Sequence, residues 1–224
     1  NSLIMNSYHR FLDIGDYVPN IDVSKYKTEG IRWPEFHKQL EFEDLGNDKI
    51  KPWLESMGFT STWIEFFYTP PHDDGVIHSD NVYYADWAKL IFQFDGEGST
   101  MRWWKSDMVM RVSTSAEQVC STQIPERSEY SVGDRTNDHY HGQVLVTREQ
   151  YATLEYEADV STPSLVNVGP LHSSHNPTDN KRFTVTIALM DKNTPYERRI
   201  LWDEAVEAFK PYIVDSSAIL YASK

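Results

Sequence analysis

From Ser61 to Met190 the sequence breaks into short runs of β-branched and aromatic residues. The runs are "STWIEFFYTP", "GVIHSD", "AKLIFQF", "TMRWWK", "GQVLVT", "ATLEYEADV", "SLVNVG" and "RFTVTIALM". Turn formers separate them, among them Asp95-Gly96-Glu97-Gly98, Ser161-Thr162-Pro163 and Asn176-Pro177. Many short strands with no helix between them predict an antiparallel sandwich or barrel, not a parallel α/β sheet. The chain has 224 residues, 40% of them hydrophobic and 13% aromatic, enough for the core of one domain. The expected layout is a barrel core over about residues 60–190 within a single domain, 1–224. A mixed, partly helical region (1–59) precedes it and an amphipathic helix (about 196–213, "PYERRILWDEAVEAFKPYI") follows it. A helical reading also suits Ile31 to Gly58. There "NDKIKPWLESMG" offers Asn47 as N-cap, apolar Ile50, Trp53, Leu54 and Met57, and Gly58 as terminator.

The chemistry concentrates in "PPHDDGVIHSDN", residues 70–81, which holds His-any-Asp twice. His72 and Asp74 sit among two prolines, another aspartate and Gly75, which predicts a solvated acidic loop. His78 and Asp80 follow Val76 and Ile77 at the start of a strand, where side chains at i and i+2 share a face. Imidazole and carboxylate then converge as a metal requires, or they form a His–Asp pair on an edge strand. A third ligand favours the metal. In "SLVNVGPLHSSHNPTDNKRFTVTIALM" the turn-rich "HNPTDNK" joins two strands and reads as a hairpin. Its second strand alternates: Phe183, Val185, Ile187 and Leu189 on a core face, Arg182, Thr184, Thr186 and Ala188 on a polar one. His172, ten residues before Arg182, can point into the same polar cavity. His175 is the competing ligand, but its odd offset puts it on the other strand face.

Two His and one carboxylate on one side of a metal, with open positions opposite, is the donor set of non-haem Fe(II) oxygenases. Arg182 offers a planar fork for a distant carboxylate, and Thr184 a further hydrogen bond. In order and spacing His78, Asp80, His172, Arg182 and Thr184 resemble the 2-oxoglutarate and Fe(II)-dependent oxygenase superfamily, over roughly residues 60–190. "VNVGPLHSSHNPTDNKR" and "AKLIFQFDGEGSTMRWWK" are similar to that family's surroundings of the second His and to the strand pair after its metal motif. The resemblance implies a double-stranded β-helix, or jelly roll, with Fe(II) near one mouth and 2-oxoglutarate and O2 as cosubstrates. It also implies hydroxylation of a small molecule or a peptide side chain, with succinate and carbon dioxide as co-products. Tyr68 stands where several relatives have a cosubstrate contact. Asp80 fills the position that halogenating relatives leave vacant, which speaks against halogenation.

Arg102 and Trp104 are candidate substrate contacts, on one face of the "TMRWWK" strand. Residues 106–140 read as an insertion or lid, and His139 and His141 in "NDHYHG" form a second i, i+2 pair, read as a polar turn or else as part of a substrate lid. The net charge of −13 lacks the footprint of a nucleic-acid binder and suits an anionic membrane surface poorly. No apolar run approaches the roughly 20 residues that span a bilayer. "NSLIMNSYHRFLDIGD" has no charged segment leading a long apolar one, so a secretory leader is not expected there. Cys120, the single cysteine, excludes an internal disulfide and a Cys-rich zinc site, and a cytoplasmic compartment is expected. Two other classes fit the same β pattern: a cupin-like barrel binding metal or a small ligand without oxygen chemistry, and a structural jelly roll of a larger assembly.

Overall fold

The computed structural model describes residues 6–28, 37–113 and 143–214. His139, His141, Cys120 and most of the expected insertion lie outside the described residues. Two antiparallel sheets dominate. The first runs β16 (Ile213–Val214), β1 (His9–Leu12), β12 (Ser164–Asn167), β7 (Ala88–Asp95), β14 (Arg182–Ala188), β4 (Ile64–Thr69), β2 (His37–Leu40). The second runs β11 (Thr153–Asp159), β8 (Thr100–Lys105), β13 (Leu171–Asn176), β6 (Ile77–Ser79), β10 (Gln143–Thr147), β9 (Met110–Ser113), with β5 (Asp73–Asp74) also on β13. A small third sheet pairs β15 (Met190–Asp191) with β3 (Phe59–Thr60).

The pairing identifies the architecture. Taken in chain order, β4, β6, β7, β8, β11, β12, β13 and β14 pair first with last: β4 with β14, β6 with β13, β7 with β12, β8 with β11. This is one long antiparallel ribbon rolled into a jelly roll, so the expected mainly β barrel is present. β9 and β10 extend the second sheet beside β6.

Strand parity divides the side chains as the alternating sequence predicts. On the first sheet, Phe66, Leu90, Phe92, Phe183, Val185 and Ile187 face outward into the main core. That core is covered by α1 (Ile50–Ser56) and α2 (Trp202–Phe209). α1 buries Ile50, Trp53 and Leu54, spaced i, i+3, i+4. α2 buries Trp202, Ala205 and Phe209, and the Trp53 and Phe209 rings meet edge to face at 5.5 Å. Burial of a side chain such as Phe209 contributes roughly 2–3 kcal/mol. Inside the roll a second cluster, built on Trp103, Ile91, Val166 and Val168, fills part of the space and leaves the rest hollow.

Three expectations change. Among the described residues of 31–58, α-helix is confined to Ile50–Ser56, preceded by a short 3-10 helix at Phe42–Leu45, because His37–Leu40 forms an edge strand on β4. The C-terminal helix begins at Trp202, not near 196, because Arg199 bridges Met190 and Leu201 bridges Trp87. The segment 177–181 is not a hairpin: β13 belongs to the second sheet and β14 to the first, so the chain arches across the roll. Asn176, fully buried, holds this arch by donating to Pro70 O (2.9 Å) and Asn180 O (2.8 Å) and accepting from Thr178 Oγ1 (2.8 Å). Among the described residues, no helix is long and apolar enough to cross a membrane.

Candidate metal centre

His78 and His172 lie directly opposite each other on β6 and β13. Asp80 follows the end of β6, and its N–H donates to Val168 O (3.1 Å). Ser79 Oγ donates to Gly169 O (2.5 Å), tying the same loop to the 167–170 corner. A side chain at Gly169 would meet Ala85 O at 2.3 Å, so this close approach requires glycine.

The three side chains converge. Asp80 Oδ1 is 3.4 Å from His78 Nε2 and 3.5 Å from His172 Nε2, and one donor atom from each residue lies within 4.8 Å of the others. Donors about 2.1 Å from one ion stand roughly 3.0 Å apart at a right angle and 3.4 Å apart at a tetrahedral one. The spacing therefore fits a single first-row ion. The tautomers fit as well. His78 Nδ1 is 2.8 Å from Val76 O, and His172 Nδ1 is 2.9 Å from Pro170 O. A carbonyl only accepts, so each Nδ1 carries the proton and each Nε2 presents its lone pair.

Charge is set from the opposite sheet. Lys89 on β7 places Nζ 2.6 Å from Asp80 Oδ2 and 3.4 Å from Glu65 Oε2. Thr186 Oγ1 is also 3.4 Å from that Glu65 oxygen. Burial by itself would raise the Asp80 pKa, but Lys89 and then the two histidines hold it well below the usual carboxylate range. Burial and the neighbouring His78 push His172 down to about 3, against the pull of Asp80, so its imidazole is neutral. Burial would lower the Lys89 pKa, but Asp80 and Glu65 raise it above the usual lysine value.

The hollow between the sheets is a cavity of about 340 Å³. Arg182, Thr184 and Thr186 line it, as the alternation of β14 predicts, facing the metal cluster from the other sheet. Arg182 is buried, and its one side-chain hydrogen bond among the described residues runs from Nε to Gln93 Oε1 (3.1 Å). Burial lowers its pKa to about 10, opposed by Asp159.

Other candidates fall elsewhere. Tyr68 is buried in the main core against Phe183, at 5.3 Å, while its neighbours Phe67 and Thr69 line the cavity. An expected cosubstrate contact from Tyr68 is thus on the wrong face of β4. Arg102 pairs with Glu157 (3.0 Å), and Trp104 packs with Ile77, Leu145 and Leu171. Neither lines the cavity; Met101 does, and Trp103 fills the interior. His175 turns away from the cluster to pair with Asp74, and His72 pairs with Asp179 (2.7 Å). The first His-any-Asp copy therefore clamps the β13–β14 arch, and Asp73–Asp74 forms a strand where a solvated loop is expected. Glu65, Lys89, Trp63 and Arg199 also line the cavity, unforeseen from sequence. The available signal was one charge in each of two otherwise apolar runs, Glu65 in "WIEFFY" and Lys89 in "AKLIFQF".

No protein-family model matches the chain, and no curated protein matches it. Among solved structures it is similar to EvdO2 from Micromonospora carbonacea var. aurantiaca. One EvdO2 structure is 11% identical over 62% of this chain and 56% of that one, with a TM-score of 0.33. The EvdO2 structure complexed with 2-oxoglutarate is 12% identical over 73% and 72%, with a TM-score of 0.36. E. coli ycfD is 10% identical over 78% and 38%, with a TM-score of 0.29. The chain thus spans just over half of the first EvdO2 chain. Likeness at this level carries no argument, and the jelly-roll assignment rests on the strand pairing.

Proposed function

We propose that the chain is an Fe(II)- and 2-oxoglutarate-dependent oxygenase that hydroxylates its substrate while converting 2-oxoglutarate and O2 to succinate and carbon dioxide. The observation that carries this reading is the convergence of His78 Nε2, His172 Nε2 and Asp80 Oδ1 in a cavity that Arg182 faces from the other sheet. His78, Asp80 and His172 would hold Fe(II), and the iron, when bound, supplies the oxygen-activating chemistry. The protein residues have separate tasks. Val76 O and Pro170 O hold the two imidazoles in the ligating tautomer. Lys89 keeps Asp80 ionised. Arg182, short of hydrogen-bond partners and desolvated, receives the far carboxylate of 2-oxoglutarate, with the Thr184 hydroxyl beside it. Water exclusion by the apolar walls strengthens both charge pairings.

One observation favours a second reading, a cupin-like barrel that binds metal or a small ligand without oxygen chemistry. Asp80 already has a counter-ion in Lys89, so the cluster is compensated without a metal. Anaerobic titration with Fe(II) and 2-oxoglutarate separates the two. The oxygenase reading expects a visible metal-to-ligand absorption band, lost in His172→Ala, and succinate on admission of air. Metal binding without the band favours the cupin-like reading. No metal binding at all overturns the oxygenase reading and leaves the second only as a small-ligand barrel.

A further inference from the structure

Arg199 lines the same cavity, near the Asp80–Lys89–Glu65 group, and none of its side-chain nitrogens has a hydrogen-bond partner among the described residues. Its Nε and Nη2 are fully buried. The guanidinium lies 4.5 Å from the Trp87 ring and 5.8 Å from the Trp63 ring. Aromatic contact satisfies the face of a guanidinium, but its N–H groups point outward in the plane and still require acceptors. Asp80 and Glu65 attract it without reaching ion-pair distance, and both already engage Lys89. Leaving buried donors of a cation unpaired is costly, so the arrangement implies an acceptor that arrives from outside, its entry shifting the Arg199 side chain enough to open Nε or Nη2 to the cavity.

The charge balance indicates what kind. The described lining carries three cations, Lys89, Arg182 and Arg199, against two carboxylates, Glu65 and Asp80, in a chain whose net charge is −13. A divalent ion and doubly charged 2-oxoglutarate cancel each other, which leaves one positive charge uncompensated. Trp63, 39% exposed, gives the cavity an aromatic wall that solvent reaches.

We propose that the prime substrate is a small organic monoanion whose carboxylate docks on the in-plane N–H groups of Arg199, its body lying against Trp63. The proposal deepens the oxygenase reading and rests on it for the cavity's other occupants. Benzoate is a suitable probe, with benzamide as its neutral counterpart. Calorimetric titration into protein loaded anaerobically with Fe(II) and 2-oxoglutarate should detect benzoate and not benzamide. Arg199→Gln should weaken benzoate tenfold or more. Equal binding by wild type and variant, or equal binding of benzoate and benzamide, overturns the proposal, as does no benzoate binding. A second measurement needs no variant. In wild-type protein carrying 15N-arginine, 2-oxoglutarate should shift one buried Nε signal and benzoate a different one. A shared signal, or no benzoate-dependent shift, overturns the proposal. The oxygenase reading is judged separately, by the absorption band of the wild type without benzoate. Absence of that band with benzoate still held by Arg199 would sink the oxygenase reading and leave the anion site on Arg199 standing.

Discussion

Lys89 Nζ stands 2.6 Å from Asp80 Oδ2, while the other Asp80 oxygen faces the two histidines at 3.4 and 3.5 Å. One carboxylate is thus shared between an ammonium from the first sheet and a candidate metal pocket on the second. Lys89→Met removes a counter-ion that Glu65 also uses, leaving two buried carboxylates without it. The expected loss is about 3–5 kcal/mol of stability, measured by urea unfolding of metal-free protein. Added Co(II) should restore stability more in the variant than in wild type, because the ion replaces the lost charge on Asp80.

Ligand identity is testable by contrast. His78→Ala, Asp80→Ala and His172→Ala should each abolish stabilisation of the melting temperature by Fe(II) or Co(II). His175→Gln should leave metal affinity within about twofold, since the half-buried His175 imidazole pairs with Asp74 and not with the metal cluster. A large loss of affinity in His175→Gln would show that the wrong histidine has been assigned.

Gly96 has φ +72° and lies under Arg182: an added Cβ would meet Arg182 Cβ at 2.7 Å and its Cα at 2.9 Å. Both the backbone conformation and the close approach demand glycine. Gly96→Ala should cost about 1–3 kcal/mol of stability. On the oxygenase reading it should also weaken 2-oxoglutarate binding by displacing Arg182, with metal affinity retained. Calorimetry with each ligand separates the two effects.

His9 sets an acid limit. Burial, with the charge of Arg10 adding and that of Asp159 opposing, lowers its pKa to about 3, and its Nε2 is 2.9 Å from Ser164 Oγ. The unfolded chain takes up a proton below about pH 6.5 that the native state refuses until about pH 3. The His9 contribution is therefore complete above 6.5 and is lost as the pH falls towards 3, at about 1.4 kcal/mol per pH unit. Urea unfolding at about pH 7 and about pH 5 should show wild type losing roughly 2 kcal/mol more than His9→Gln. Equal losses would exclude His9 as the group responsible.

The parts legible in the sequence were those fixed by local periodicity. The alternation of β14 told which residues face the cavity, and His172 was separable from His175 by parity. Tyr68, Arg102 and Trp104 sit on the expected strands, but their faces depend on tertiary register, and a shift of one residue inverts every side chain. The arch at 177–181 resembles a hairpin because Asn, Pro and Asp serve both kinds of turn; only the partner strands distinguish them. Residues 196–201 look helical in isolation, yet their backbone is occupied by bridges to Met190 and Trp87. Lys89 and Glu65 were hidden for a similar reason, since each has meaning only when the two sheets face each other.

The first-with-last pairing of the eight strands has a kinetic consequence. His78 and His172 are neighbours only because β6 and β13, far apart in the chain, close on each other. Contacts of such long sequence separation place a roll of this kind among slow folders. A partly rolled chain can hold a helix or a local ribbon but cannot assemble all three donor atoms. On the metal-site reading, tight metal uptake would report the closing of β13 onto β6, and its time course during refolding would mark the moment those two strands meet.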